Sequence, residues 1–497
     1  MILPVEKEFN GFVRDVSRDR IPPGKAYSLI DYLPRFGAPA RKRGGWGYGS
    51  AALGASGYIG ALAWAPFPGA NQLVAVRENG DVYKLSSMTS ADSGTAKGAC
   101  TNFSGVSPCK PVFFKGTSGG PFLYIVSPNV SPNDHAFSYD GSTNVSGGSV
   151  LSIGNNVRYV EPWGAFLIVA GTSTVANKYD RLKWSSDSQA AISGSTMDFP
   201  FSIVAVVGMP SQILVIGDED TWSIYGDNPP PGGDMQRRKL FVGVGCMDAR
   251  TVSRWGRNAL WANSTGVYMT DGANLTDLTF AGGISQFWKD SVASFDRSSS
   301  WIATGEVFGN LYVLTVLNGS GTEVLSLLCD LQRQEWYQAT NLTASMYAFR
   351  PGSAALTQEL FFGLRDERRV AKAASLWTPA TEDADGTDIL PVWESRYYDL
   401  KLEQAKRVRE AHFKYDLRSS GGSPTFSVGF ITSPEETSYT TSSKTLAKTT
   451  AMKRAPVDIR RKVLGVALKL TQTAVSDDTK LYGVELEGHG LSRTRST

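Results

Sequence analysis

The sequence predicts an all-β protein: a β-propeller-like domain of about seven blades followed by a small β-sandwich. Three observations predict it. Aromatic residues make up 11% of the 497-residue chain and Gly reaches 51; aromatics favour strands, while Gly, Ser, Asn and Asp favour turns. Short runs of Val, Ile, Phe, Tyr and Trp are cut by Gly, Asn, Asp and Pro, and helical periodicity is scarce. The runs also fall into groups that recur about every 45 residues, the spacing of propeller blades.

The groups justify the blades in order. They are residues 59–85, 112–139, 157–184, 203–225, 251–270, 301–338 and 345–374. Gly80-Asp81-Val82-Tyr83 echoes Gly309-Asn310-Leu311-Tyr312, and Gly266-Val267-Tyr268 is a shorter version. Each reading puts Gly at a turn with positive φ, then an aromatic in a strand. Asp140-Gly141 and Asp271-Gly272 read as further turns. The clearest helix-compatible window is Leu402–Phe413, whose second half reads equally well as a strand. Thr378–Gly386 is acidic, poor in apolar residues and punctuated by Pro and Gly, the marks of a linker. The expected organisation is an N-terminal extended segment closing or bridging the ring (1–57), the propeller (58–378), the linker (379–390) and the sandwich (391–497).

Net charge is only +3, weaker than the basic excess of a protein that grips nucleic acid. Residues 391–497 carry a net +6 and the remainder a net −3, read as solvated strand faces. The four cysteines, Cys100, Cys109, Cys246 and Cys329, form no CxxC pair and read as inert thiols, with a Cys100–Cys109 bridge as the alternative in an oxidising compartment. No signal peptide and no apolar stretch long enough for a membrane span is visible.

The chemistry-bearing motifs are sparse. Gly116-Thr117-Ser118-Gly119-Gly120 matches GxSxG in letters, but a strand follows where a nucleophile elbow needs a helix. Asp383-Ala384-Asp385-Gly386 opens like a calcium loop, yet its sixth position is Asp388 and its ninth Pro391. Ser294–Trp301 is a single near match to a sialidase Asp-box without its turn Gly. His135, His412 and His489 lie far apart, and there is no phosphate-binding loop. No catalytic, cofactor or metal residues are therefore expected, and the chain is not expected to be an enzyme. Two carboxylates suffice for a glycosidase, so a host-glycan-binding or glycan-cleaving propeller stays open as an alternative. Arg41-Lys42-Arg43, beside Gly44-Gly45-Trp46, is the one compact basic turn, a candidate contact for DNA or an acidic neighbouring subunit.

Several stretches resemble the β-propeller tail nozzle or hub proteins of short-tailed bacteriophages, also called packaged-DNA stabilisation proteins. They are Ile21-Pro22-Pro23-Gly24-Lys25-Ala26, Arg35-Phe36-Gly37 with the basic turn, and Arg181-Leu182-Lys183-Trp184-Ser185. Gly243-Val244-Gly245-Cys246, Ala249-Arg250-Thr251-Val252 and Gly266–Gly272 follow, with Arg460–Leu464 and Tyr482–Glu487 near the close. The resemblance is one of pattern, and tail proteins of long-tailed phages share it. It implies a homo-oligomeric ring, commonly a hexamer, below a portal or adaptor protein and next to tail fibres or spikes. Packaged DNA would pass through the ring, in a virion assembled in the host cytoplasm. It implies no cofactor and no catalytic residue. A minor tail or baseplate protein of a long-tailed phage is the neighbouring alternative. The mild charge fits a conduit, because many phosphate contacts would hold DNA back.

Overall fold

In the computed structural model each strand group forms an antiparallel sheet, and only that of blade six continues into a larger, ten-stranded one. The residues described are 2–6, 11–23, 25–34, 40–43, 45–100, 103, 110–115, 121–126, 136–145, 157–172, 179–185, 196–229, 233–296, 300–352, 358–373, 383–385, 387, 389–399, 406–417, 425–433, 436, 438–445, 453–463, 465–472 and 479–489. The blades begin with the strands Ile59–Phe67, Val112–Phe114, Tyr159–Trp163, Ala205–Gly208, Ser253–Trp255, Ile302–Phe308 and Ala344–Arg350. Hairpins then carry the chain outward to a last, exposed strand such as Gln236–Phe241.

The seven sheets close into a propeller because their first strands pack on one another in succession. Blades four and five share a cluster of Ala205, Val207, Leu214, Trp261 and Tyr268. The ring closes where Ala344–Arg350 of blade seven lies against Ile59–Phe67 of blade one, with Met346 and Ala348 in the same cluster as Ile59 and Leu62. Second strands are buried on both faces, as in Ile213–Ile216 and Leu311–Leu317, so they read as continuous apolar runs. Gly80 and Gly309 take φ of 92° and 63°, as the echo predicts. Gly266 does not. It sits within the strand Gly266–Thr270, where a Cβ would come within 2.8 Å of Thr279 Oγ1.

The N-terminal segment is woven through the whole fold. Gly47–Tyr48 pairs with Val370–Ala373 and supplies the fourth strand of blade seven. Ser28–Ile30 runs parallel to Glu335–Ala339 of blade six on one side and antiparallel to Val392–Glu394 on the other. Val392–Glu394 in turn pairs with Gly465–Gln472, so one sheet continues from blade six into the C-terminal unit. The facing sheet holds Lys406–Leu417, Lys453–Val463 and Thr479–His489, joined by Ile2–Glu6, Tyr32–Pro34 and Ala40–Lys42. Trp393, Phe413, Phe430 and Leu486 between the sheets belong to the same buried cluster as Tyr312 and Trp336 of blade six. The sandwich is thus hydrogen-bonded to the propeller through Ser28–Ile30.

Of the two readings left open for the second half of the helix-compatible window, the strand is the one that forms: Lys406–Leu417 is a strand whose alternate residues Ala411, Phe413 and Tyr415 are buried between sheets. A helix forms at Ser285–Val292, between the fifth and sixth strand groups. Its N-terminus is capped from a distance: Asp15 accepts from the backbone N–H of Ser285 and Gln286.

Candidate functional site

Arg43 of the basic turn is not the exposed contact expected of it. Arg43 is buried, with its side chain 1% exposed. Its Nε donates to Asp31 Oδ1 at 2.6 Å, and Nη1 and Nη2 donate to the two Asp383 oxygens at 3.0 and 2.8 Å. Asp31 also accepts from Thr340, and Asp383 from the Trp46 N–H and Asn341. Burial alone would draw the guanidinium's pKa down, but the two carboxylates reverse that and hold it above its ordinary value. Arg43 therefore ties the N-terminal segment to blade six and to the start of the expected linker, and does not face DNA or a neighbouring subunit. Arg41 and Lys42 lie in the strand Ala40–Lys42, with backbone partners Leu33 and Tyr32; their side chains lie outside the described residues. The calcium-loop reading is closed as well, since Glu394 is paired with Arg18 and Lys469. Cys100, Cys246 and Cys329 are buried thiols; the GxSxG letters, Cys109 and His135 lie outside the described residues.

What the fold brings together lies on the propeller axis, and none of it was singled out in the sequence. Lys110, just before the inner strand of blade two, reaches across to blades five and six. Its Nζ donates to the carbonyls of Val252 and Gly305 at 2.7 and 2.6 Å and to Glu306 Oε2 at 2.9 Å. The other Glu306 oxygen accepts from Ser253 Oγ at 2.5 Å. One residue on, Arg254 is ion-paired with Glu161 of blade three, and Glu161 also accepts from the Gly208 N–H of blade four at 2.9 Å. Two inner-strand carboxylates, Glu161 and Glu306, thus each hold a cation. Their partners lie 93 and 196 residues away, so no local spacing announces them.

Beside this cluster opens a cleft of about 550 Å³. Its walls are the hairpins between the first and second strands of blades three, four and five: Trp163–Phe166, Met209–Pro210 and Gly256–Asn258, with Arg254 and Asp227. Tight turns suit these tips: Gly164 and Gly256 take φ of 56° and 59°. Trp163 is pinned as a wall by its Nε1–H bond to the Met209 carbonyl at 2.6 Å. Gly208 carries no side chain where a Cβ would come within 2.9 Å of the Pro162 carbonyl and 3.2 Å of Arg254 Nη2, so the close approach of these blades needs it.

In the sandwich, Glu410, His412 and Glu487 place ligand-type atoms within 4.8 Å of one another. The His412 Nε2 lies 2.8 Å from Glu487, and that bond holds the Glu487 carboxyl below its usual range. The set fits a metal poorly. A metal on Nε2 would leave a buried Nδ1–H, which has no acceptor among the described residues. Arg409 and Arg454 already lie against the two glutamates. The triad is an ion-pair network across two strands.

No family model matches this chain, and no curated protein does. Solved structures similar to it include an exo-β-1,3-galactanase from Phanerochaete chrysosporium with galactose, at 8% identity and TM-score 0.28, covering 90% of this chain and 100% of that one. A glycoside hydrolase family 43 arabinoxylan arabinofuranohydrolase from Bacillus subtilis shares 10% at TM-score 0.23, covering 88% and 96%. The SapL1 lectin in complex with α-methyl fucoside shares 11% at TM-score 0.30, covering 52% and 89%. The expectation that the chain is not an enzyme is corrected to this extent: glycoside hydrolases stand among the similar structures. At such scores no substrate and no residue role passes from those proteins to this chain, and any further reading rests on its own residues.

Proposed function

We propose that this chain is a structural component of a bacteriophage tail, a nozzle or hub subunit that assembles with copies of itself. In that role it would meet a portal or adaptor protein and tail fibres or spikes, and DNA would pass through the ring. The observation that carries the reading is the fixed junction of propeller and sandwich. A continuous sheet through Ser28–Ile30 and the buried Arg43 network join the two units, which suits a part that transmits load between neighbours. The pattern resemblance supports it from the sequence. Cyclic rings follow when one heterologous contact repeats and closes. Native mass spectrometry of the recombinant chain, and reconstruction of particles from a host-grown phage carrying a tagged copy, test it. A ring and tail density at the tag are expected; a monomer at all concentrations with no tagged particle would sink it.

A second reading has its own observation. The axial cleft, with Trp163 and Phe166 on its wall and Glu161 and Glu306 near it, suits recognition or cleavage of a host glycan. Incubation with host surface polysaccharides, followed by sizing of products, tests the cleaving form. Turnover that Glu161→Gln or Glu306→Gln removes would establish it; turnover untouched by both would place the chemistry elsewhere.

A further inference from the structure

We propose that the cleft of blades three to five takes a pyranose ring bearing a carboxylate, such as a uronic or sialic acid residue within a glycan. This deepens the glycan reading of the cleft and rests on it. The side chains divide the charge unequally between the floor and the opening. Glu161 is mostly buried, its side chain 15% exposed, and is occupied by Arg254 and the Gly208 N–H. Arg254 is 47% exposed and, among the described residues, has no acceptor besides Glu161. The carboxylate beneath it therefore fixes the guanidinium in place and leaves its other N–H groups toward the opening. Arg257, on the tip of the same hairpin, is exposed and adds a second cation. Asp227 is the one acidic side chain among the lining residues.

That arrangement selects by shape as well as charge. A guanidinium presents a planar fork that matches a carboxylate in two parallel hydrogen bonds. Trp163, held by its bond to Met209, offers a flat apolar wall against which the C–H face of a sugar ring packs. Asp227 accepts from ring hydroxyls and Asn258 offers both a donor and an acceptor. The volume lies within the roughly 300–1,000 Å³ of small-ligand sites.

The test is titration calorimetry on the full chain with four acidic probes: oligogalacturonate, oligoglucuronate, oligomannuronate and the α-methyl glycoside of N-acetylneuraminate. The methyl ester of each probe, the matching neutral oligosaccharides and inorganic phosphate serve as controls. At least one acid should bind about tenfold or more tighter than its ester, the loss expected for one charge-assisted hydrogen-bond pair. Arg254→Gln and Arg257→Gln should each reduce that preference; the unfolding temperature should stay put for Arg257→Gln, at an exposed hairpin tip, whereas Arg254→Gln should also lower it by leaving the mostly buried Glu161 without its cation. Equal binding of acid and ester, or of the neutral sugar, would overturn the carboxylate selection while leaving the glycan reading in place. Binding of phosphate as tight as any acid would replace the sugar site by a plain anion site. Binding of none of the probes or neutral sugars would remove both.

Discussion

Two sets of ion pairs hold distant parts of this chain together, one at the junction of propeller and sandwich and one on the propeller axis, and they differ in their access to water. Arg43, Asp31 and Asp383 are each about 1% exposed or less at the side chain. Lys110 and Glu306 are 21% and 18% exposed, and Arg254 is 47% exposed beside an open cleft. The same kinds of residue are thus committed to structure in one place and left able to meet a ligand in the other. The difference teaches that a basic residue in the sequence is no guide to a binding surface until its burial is known.

The comparison can be broken at its strongest point first. Arg43→Met should cost about 3–5 kcal/mol, because it leaves two carboxylates buried without their cation. Urea unfolding measures it, and an unchanged midpoint would mean that the junction does not depend on the network. Charge reversal across Arg41, Lys42 and Arg43 should accordingly disturb the fold itself, through the buried Arg43. On the axis, Lys110→Met should cost less, about 1–2 kcal/mol, since the pair is partly hydrated and the loss is mainly of charge-assisted bonds. Its effect should shrink in high salt while that of Arg43→Met persists.

Two smaller effects sharpen the contrast through pH. Burial, with Asp31 nearby, pushes the Glu323 carboxyl above its usual range. The folded state then keeps a proton that the unfolded chain has released, so this contribution is full below the unfolded value and is lost as pH rises through the raised one. Glu323→Gln should flatten thermal stability across that window and be neutral or stabilising at pH 7, with the Leu342 N–H still accepted by the amide oxygen. An unchanged slope between pH 4 and 7, expected at the low end from about the ordinary Glu value, would count against it. Asp271 behaves oppositely. The backbone N–H groups of Asn274 and Ala273 hold its carboxyl down at about 2. Its contribution is present above the ordinary Asp value and lost as pH falls through about 2. Asp271→Asn should lower the unfolding temperature slightly at neutral pH, and the gap to wild type should close in acid.

The blades were legible because their first three strands carry buried aromatics and branched residues between turn residues. Among fourth strands only that of blade six, the largely buried Glu335–Ala339, was legible; Thr95–Ala99 and Gln236–Phe241 are largely exposed and show no apolar alternation. The helix Ser285–Val292 was missed because its cap, Asp15, lies 270 residues away. The site was illegible for the same reason. Lys110, Val252 and Glu306 meet only because seven sheets close around one axis, and nothing local to Lys110 distinguishes it from a solvated lysine. Arg43 misled in the other direction, since its neighbours Arg41 and Lys42 make a buried residue look like part of a surface cluster.

The pairing of Gly47–Tyr48 with Val370–Ala373 has a consequence for biosynthesis. The strand that completes blade seven leaves the ribosome roughly 320 residues before its partner, a wait on the order of half a minute at bacterial elongation rates. For most of that interval blade one has no blade seven to lean on, and Ser28–Ile30 has neither of its flanking strands until Glu335–Ala339 emerges. The early blades must therefore persist as an open arc with an unpaired rim, the state in which a helper that shields strand edges would matter most. The ring can close only after Ala344–Arg350 emerges to meet Ile59–Phe67, and the pairing of Val370–Ala373 with Gly47–Tyr48 then completes the last blade, so closure is expected late in synthesis.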